Sequence, residues 1–291
     1  MAGRTWMAVL MGTVAWTGAR GDPYDEPGPC RHRRETMDVD TATWEQDVEV
    51  EITVPQCDVI EPPYPIVYFY QGFGARARDY YSYADRLASW GYAVLQHNAN
   101  TGDRDELELG FYPDVMEAVK SSSVGQDLDF TKVGTAGHSR GGRLAAMTLE
   151  QQDDVSFGIL IDPVDDDQRS GSRSIGNLGR PVAIIGSSLT TECFPSEITY
   201  EEFFAQSASG TWLQVIQDAG HSQFSMAAEG VIQRQVDPCA RGDRAIVDIL
   251  ELTYPTMVAW ADYQLHGVET NRYFDWVRIQ EEEEHITWQE R

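Results

Sequence analysis

A serine flanked by glycines is the feature that most restricts how this chain can fold. Ser139 stands in the run Gly137-His138-Ser139-Arg140-Gly141-Gly142, directly after an apolar segment and directly before a helix-compatible one. Between a strand and a helix, the pattern G-x-S-x-G forms a sharp turn that projects the serine oxygen from the top of a sheet. Gly137 and Gly141 would let the strand and the helix approach closely. We therefore predict a nucleophile elbow, with an ordinary glycine-rich turn as the alternative.

Apolar runs and helix-compatible segments alternate along the rest of the chain, which is typical of a parallel sheet with helices on both faces. An alternating segment at 48–54 comes before any predicted helix, so the sheet should begin with antiparallel N-terminal strands. The buried strands are predicted at 66–70, 93–95, 132–136, 157–161, 182–185 and 212–216. The helices are predicted at 79–90, 112–120, 141–150 and 244–265, with Pro255 kinking or splitting the last of them.

A serine hydroxyl needs a base before it can act as a nucleophile. His221 follows the last of the buried runs, which is where the base is expected in sheets that carry this type of elbow. The alternative for His221 is a hydrogen-bonded loop histidine. The acid should lie between the serine and the histidine, and Asp162 directly follows the strand 157–161, at the edge where functional groups of such sheets gather. Glu192 is the alternative acid, and the aspartates at 165–167 are expected to form a solvated face.

Two backbone N–H groups should stabilise the negative charge that develops on a substrate oxygen. The residue after the nucleophile supplies one of them, which here is Arg140. The loop Gly72-Phe73-Gly74, after the first buried strand, should supply the other through the N–H of Phe73. This chemistry needs no metal and no organic cofactor.

Composition narrows the choice of partners. Asp and Glu total 47 against 22 Lys and Arg, so the net charge of −25 makes nucleic acid an improbable partner. The hydrophobic fraction of 42% is that of a globular chain with a sizeable core.

None of the 4 cysteines forms a C-x-x-C pair, which argues against a zinc site. In an exported protein they favour the disulfides Cys30–Cys57 and Cys193–Cys239, with buried thiols as the alternative.

The chain divides by composition into four parts. Residues 1–20 have a basic start, a short apolar middle and small residues at the end, which predicts an export signal, with import into an organelle also possible. This apolar stretch is too short to span a membrane, so no integral membrane segment is expected. Residues 21–61 form a polar leader with N-terminal strands, and 62–266 form the catalytic core. Residues 267–291 form an acidic C-terminal tail that contains four consecutive glutamates.

The same residues resemble the α/β-hydrolase fold and, more narrowly, the chlorophyllases. The run 137–142, Asp162-Pro163-Val164 and Gly220-His221 match motifs of that family, and the resemblance covers residues 62–260. Gln71-Gly72 departs from the family's His-Gly. The resemblance implies a serine hydrolase that cleaves the phytyl ester of chlorophyll to chlorophyllide and phytol. An acid so early in the chain is also similar to the secreted platelet-activating-factor acetylhydrolases.

Other functions remain open at this point. The ester could be that of a general esterase or lipase, and a catalytically inactive hydrolase fold could serve only in binding. Gly72-x-Gly74-x-x-Ala77 could open a dinucleotide site, although the next strand does not end in the acid that would bind the ribose. A phytyl chain would need an apolar groove, for which four phenylalanines are candidates: Phe73, Phe111, Phe194 and Phe224.

Overall fold

A mixed sheet forms the centre of the protein. The computed structural model describes residues 24–99, 101–102, 104–166, 170–226 and 241–291. Within these residues the sheet has nine strands: β1 Arg31–Val39, β2 Val48–Gln56, β3 Tyr64–Tyr70, β4 Ala93–Asn98, β5 Leu128–His138, β6 Val155–Ile161, β7 Ala183–Ser187, β8 Trp212–Ile216 and β9 Ile286–Glu290. The predicted buried runs all lie in these strands, except that Val182 immediately precedes β7.

The strand order is β1-β2-β4-β3-β5-β6-β7-β8-β9. Neighbours from β4 to β8 pair in parallel, whereas β1 and β2 pair antiparallel, as do β2 and β4. This confirms the predicted mostly parallel sheet with antiparallel N-terminal strands. Because β3, β5, β6, β7 and β8 run in the same direction, the loops that follow them lie along one edge of the sheet.

Helices cover both faces of the sheet because the central strands are apolar on both sides. In β3, Val67 and Phe69 face one core, while Ile66 and Tyr68 face the other. The first core is covered by α1 (Tyr81–Ser89), α7 (Ile246–His266) and α8 (Asn271–Glu282). The second is covered by α2 (Asp105–Ser121), α3 (Arg140–Gln151), α4 (Gly171–Leu178) and α6 (Tyr200–Gln206). A short helix, α5, spans Thr190–Cys193.

Helix α7 continues through Pro255 as one element, so of the two predicted outcomes, a kink or a split, the split does not occur. A proline removes one helical hydrogen bond and its ring crowds the preceding turn. The carbonyl of Leu252, in that turn, accepts a hydrogen bond of 2.8 Å from Nε2 of Gln214 in β8. This contact ties the turn before the proline to the sheet.

Strand β1 is one of the N-terminal strands expected within residues 21–61, but no sequence pattern located it. Its sequence RHRRETMDV has no apolar alternation, and it lies at the edge of the sheet, where charged side chains can reach water. It covers one edge of β2, and β4 covers the other. The alternation in β2 suggested a half-exposed strand, but its side chains from Val50 to Pro55 are buried.

Residues 267–291 are folded, whereas the sequence analysis treats them as an acidic tail. Helix α8 buries Tyr273 and Trp276, and β9 pairs antiparallel with β8. Helical spacing brings these aromatic residues to one face, and this face packs on the core formed by α7. The glutamates at 281–284 are exposed, as the repulsion between like charges predicts.

The disulfide Cys30–Cys57 confirms one of the two predicted pairs and links the start of β1 to the end of β2. Cys193 is also disulfide-bonded, and its predicted partner, Cys239, lies outside the described residues. The predicted signal at 1–20 also lies outside them. In the described part of the chain, no helix has both the length and the apolar character that crossing a bilayer requires.

Candidate active site

The turn between β5 and α3 holds Ser139 in a conformation that side chains rarely adopt, with φ 58° and ψ −125°. Its N–H donates to the carbonyl of Ile161 at 3.0 Å, which ties the turn to β6. A Cβ added to Gly137 would lie 2.2 Å from the carbonyl oxygen of Gly141, and one added to Gly141 would lie 2.2 Å from that of Tyr70. The turn can therefore form only with glycine at both positions.

His221 connects this serine to a buried carboxylate. Its Nε2 lies 2.7 Å from Oγ of Ser139, and its Nδ1 lies 2.7 Å from Oδ2 of Asp162. The histidine comes from the loop after β8 and the aspartate from the loop after β6. The sheet therefore brings together three side chains that are far apart in sequence. In this geometry the imidazole can take the serine proton while the carboxylate stabilises the resulting cation.

Asp162 is fully buried, and its carboxylate is held from several directions. The N–H of Ser187 donates to Oδ1 at 2.9 Å, and the Ser187 hydroxyl donates to Oδ2 at 3.1 Å. The hydroxyl of Thr190 also donates to Oδ2. These donors, which the sequence analysis missed, lie at the end of β7 and the start of α5. The alternative acid, Glu192, is exposed on α5 and makes no hydrogen bond to His221 among the described residues.

The loop after β3 presents Phe73 next to this site, with its side chain 65% exposed. The N–H of Gly72 donates to the hydroxyl oxygen of Tyr80, 3.2 Å away. The N–H of Phe73, in contrast, meets no acceptor among the described residues. Arg140 is the first residue of α3, so its N–H has no acceptor within that helix. Both N–H groups can therefore donate to a substrate oxygen.

The side chain of Arg140 is buried in an ionic cluster beneath the elbow. Its Nε lies 2.7 Å from Oδ1 of Asp105, and its Nη1 lies 2.8 Å from Oε1 of Glu108. Arg143 also contacts Asp105, at 2.9 Å. Burial raises the pKa of Glu108, but hydrogen bonding to His97 and the charges of His97 and Arg140 outweigh this effect and lower it to about 2. The cluster attaches the start of α3 to the start of α2.

Asp105 and Glu108 were not singled out in the sequence analysis. The available signal was a group of acidic residues in the first turn of a helix, where carboxylates are common for electrostatic reasons alone. Asp165 was expected to be solvated, but it is buried and accepts hydrogen bonds from the N–H groups of Gly171 and Ser172, at 2.7 and 3.2 Å. Its carboxylate therefore caps the start of α4.

A cavity of about 430 Å³ lies against the loop that holds Phe73. Charged and amide side chains dominate its wall, which includes Asp47, Glu49, Gln71, Arg76, Asn98, Glu108 and Arg140. Of the four phenylalanines proposed for an apolar groove, Phe111 and Phe224 are fully buried core residues. Phe73 is exposed, and the Phe194 ring lies 5.1 Å from that of His221. Only Phe73 and Phe194 are therefore placed to meet a ligand.

Among the described residues, no group of three or more His, Cys, Asp or Glu side chains is arranged to hold a metal ion.

Comparison with known proteins identifies the family. The chlorophyllase profile matches residues 26–284. The chain belongs to the chlorophyllase family. This assignment places the protein among the carboxylic ester hydrolases, as the sequence motifs predict.

Two chlorophyllases from plants illustrate the relationship. Chlorophyllase type 0 of Chenopodium album is 28% identical over 207 residues, which are 59% of this chain and 60% of that protein's length. Chlorophyllase-1 of Arabidopsis thaliana is 26% identical over 245 residues, or 72% of this chain and 75% of that protein.

The fold also has a relative among solved structures. A ferulic acid esterase from Streptomyces cinnamoneus superposes with a TM-score of 0.69 and 15% identity, over 93% of this chain and all of that one. The α/β-hydrolase fold implied by the sequence is therefore confirmed.

Proposed function

We propose that this chlorophyllase-family protein hydrolyses a carboxylic ester through Ser139, His221 and Asp162, and that its substrate is the phytyl ester of chlorophyll. The observation that carries the proposal is the continuous chain of hydrogen bonds from the Asp162 carboxylate through the His221 ring to the Ser139 hydroxyl, with 2.7 Å at each step. Such a chain activates a serine that is otherwise inert at neutral pH.

The reaction follows from these contacts. Ser139 attacks the ester carbonyl while Nε2 of His221 takes its proton, and Asp162 keeps the other ring nitrogen protonated. The N–H groups of Phe73 and Arg140 donate to the oxygen that becomes negative in the tetrahedral intermediate. His221 then protonates the departing alcohol. Water attacks the acyl-enzyme in the same way and releases the acid.

Two features of the site support an ester with one polar and one apolar part. The cavity beside the Phe73 loop is lined by charged and amide groups, which suit the oxygen-bearing acyl part of a substrate. Exposed Phe73 and the Phe194 ring near His221 suit a hydrocarbon alcohol. The phytyl ester of chlorophyll has such an alcohol, and family membership points to this ester.

A smaller ester with a polar acyl group is the second candidate. The polar wall of the cavity favours it, and the structural relative is a ferulic acid esterase. Phospholipid esters, of the kind cleaved by platelet-activating-factor acetylhydrolases, are tested beside these two candidates.

The decisive experiment compares the purified protein and its Ser139→Ala variant on chlorophyll, short p-nitrophenyl esters and a phospholipid ester. We expect chlorophyllide to form with the parent protein alone, and a fluorophosphonate probe to label the parent but not the variant. Equal hydrolysis by both proteins would reject Ser139 as the nucleophile. Turnover of the short esters alone would reject chlorophyll while retaining the mechanism. Folded parent protein that neither labels nor turns over any ester would favour a binding protein.

We also infer that the protein is exported. The disulfide Cys30–Cys57 and the oxidised state of Cys193 are typical of proteins that mature outside a reducing cytosol. The test is the N-terminal residue of the protein recovered from an exporting host. A start close to residue 21 is expected, and an intact N-terminus on protein retained in the cytosol would contradict export.

A further inference from the structure

We infer that Tyr80 and His138 are positioning residues for ester hydrolysis, because they join the loop that carries Phe73 to the backbone of His221. The inference rests on the proposed function, in which Phe73 supplies an oxyanion donor and His221 is the base. Neither Tyr80 nor His138 touches the reacting atoms in this scheme. Their role is to fix the distance between the donor and the base.

The connection is a continuous set of hydrogen bonds. Nε2 of His138 lies 2.9 Å from the carbonyl oxygen of His221, and Nδ1 of His138 lies 2.8 Å from the Tyr80 hydroxyl. The same hydroxyl lies 3.2 Å from the N–H of Gly72, the residue before Phe73. Three segments of the chain thus meet at two side chains: the loop after β3, the end of β5 and the loop after β8.

The chemistry of each atom fixes the direction of these bonds. The carbonyl of His221 can only accept, so Nε2 of His138 carries the proton. In the neutral ring Nδ1 is then an acceptor, and the Tyr80 hydroxyl donates to it. The oxygen of Tyr80 remains free to accept from the N–H of Gly72, and Ser225 also forms a hydrogen bond with it. With His138 neutral, every bond of this set therefore has one donor and one acceptor.

Burial keeps this arrangement in a single protonation state. His138 and Tyr80 are 4% and 1% exposed, and the His138 ring centre lies 4.9 Å from that of His221. Burial, aided by the nearby charge of His221, lowers the pKa of His138 to about 3. The ring at position 138 therefore stays neutral at neutral pH. A proton taken from Ser139 remains on His221, where the leaving alcohol needs it.

The contact with Tyr80 also requires glycine at position 72. A Cβ at this position would lie 2.8 Å from the Tyr80 hydroxyl oxygen and 3.3 Å from Nδ1 of His138. The loop can approach these side chains only because residue 72 is glycine. The N–H of Phe73 is thus held one peptide bond away from a fixed point, which suits a donor that must match a short-lived oxyanion.

The test is Tyr80→Phe, which keeps the ring in the core and removes the hydroxyl. Loss of a complete oxyanion donor costs about 100- to 1,000-fold in rate, so a displaced donor should lower kcat by about 10- to 100-fold. KM for a p-nitrophenyl ester should change by less than about threefold, because ground-state binding does not use the oxyanion contact. Affinity for an alkylboronic acid, which forms a tetrahedral adduct with the serine, should fall by the same factor as kcat.

Tyr64→Phe is the matched control. Tyr64 is also buried, and its hydroxyl donates to the carbonyl of Ile60 at the opposite end of β3. We expect this control to keep the parent kcat and boronate affinity. If Tyr80→Phe keeps the parent kcat, or loses activity only in proportion to lost folded protein as judged by circular dichroism, the positioning role is wrong.

A second pair of variants tests the contact with Gly72. Gly72→Ala should lower kcat in the parent protein, but by a smaller factor in the Tyr80→Phe background, because the clash with the hydroxyl is then absent. Strictly multiplicative losses would contradict the connection. Ser139→Ala separates this inference from the proposed function. An active Ser139→Ala protein would contradict the proposed function itself. A serine-dependent enzyme that tolerates Tyr80→Phe would contradict only this inference.

Discussion

Oδ2 of Asp162 lies 2.7 Å from Nδ1 of His221, whereas Glu192 is exposed on α5. Replacing Asp162 with Asn would offer the ring an amide and favour the wrong tautomer. We expect Asp162→Asn to lower kcat by about 1,000- to 10,000-fold. Glu192→Gln, the matched control, should keep the parent rate. Steady-state kinetics on a p-nitrophenyl ester checks both, and a reversed outcome would assign the acid to Glu192.

The left-handed backbone at Ser139 makes a separate prediction about stability. A side chain at φ 58° and ψ −125° costs about 1 to 3 kcal/mol, and glycine removes most of this strain. Part of the gain is offset because glycine makes the unfolded chain more flexible, by about 0.4 to 1 kcal/mol. Urea unfolding of Ser139→Gly should therefore give a free energy about 1 kcal/mol above that of Ser139→Ala, with both variants inactive. A Ser139→Gly variant that is less stable than Ser139→Ala, by about 0.4 to 1 kcal/mol, would mean that the turn is unstrained.

Burial of His138 should make the free energy of unfolding depend on pH. Its pKa falls from 6.5 to about 3 in the folded protein, so between these values only the unfolded chain binds the proton. Stability is therefore lost as the pH falls from about 6.5 toward 3, by about 1.4 kcal/mol per unit in the steepest part. His138→Gln removes this contribution. Urea unfolding at pH 7, 6, 5 and 4 should show the stability difference between parent and variant shrinking with acidity, and parallel curves would contradict a buried neutral ring.

The ionic cluster beneath the elbow predicts a large loss of stability when one of its carboxylates is replaced by an amide. Asp105 is fully buried and accepts from both Arg140, at 2.7 Å, and Arg143, at 2.9 Å. Asp105→Asn would leave these guanidinium groups without their shared counter-charge, at a cost of about 3 to 5 kcal/mol. Glu117→Gln, an exposed change on the same helix, is the control and should cost less than about 0.5 kcal/mol. A loss below about 1 kcal/mol for Asp105→Asn would show that the cluster is not needed for folding.

Short sequence patterns predicted the central strands well because each of these strands is an apolar run that can be recognised without knowing its neighbours. The runs in β3 and β6 are apolar on both sides, and the glycines around Ser139 fit few other conformations. The position of strand β1 could not be predicted because this strand is held by pairing with β2 rather than by burying apolar side chains. The ordered C-terminus was missed because the glutamates at 281–284 outweighed the aromatic residues around them.

The site residues likewise divide into those that short motifs indicate and those that depend on tertiary contacts. Ser139, His221 and Asp162 could be proposed from motifs and from their order after strands. Tyr80, Ser187 and Thr190 could not, because hydroxyl-bearing side chains are common and their role comes from contacts between distant loops. The position of the charged partners of Arg140 likewise depends on how α2 crosses α3, which no short segment encodes.

Strand β9 pairs with β8 along its full length, from Trp212 to Ile216. A shortened version of the chain that stops before residue 286 would leave the backbone N–H and C=O groups of an apolar strand open to other molecules. Such a truncation would therefore promote aggregation. Affinity tags are therefore better joined through a long polar linker, so that this edge remains covered during purification.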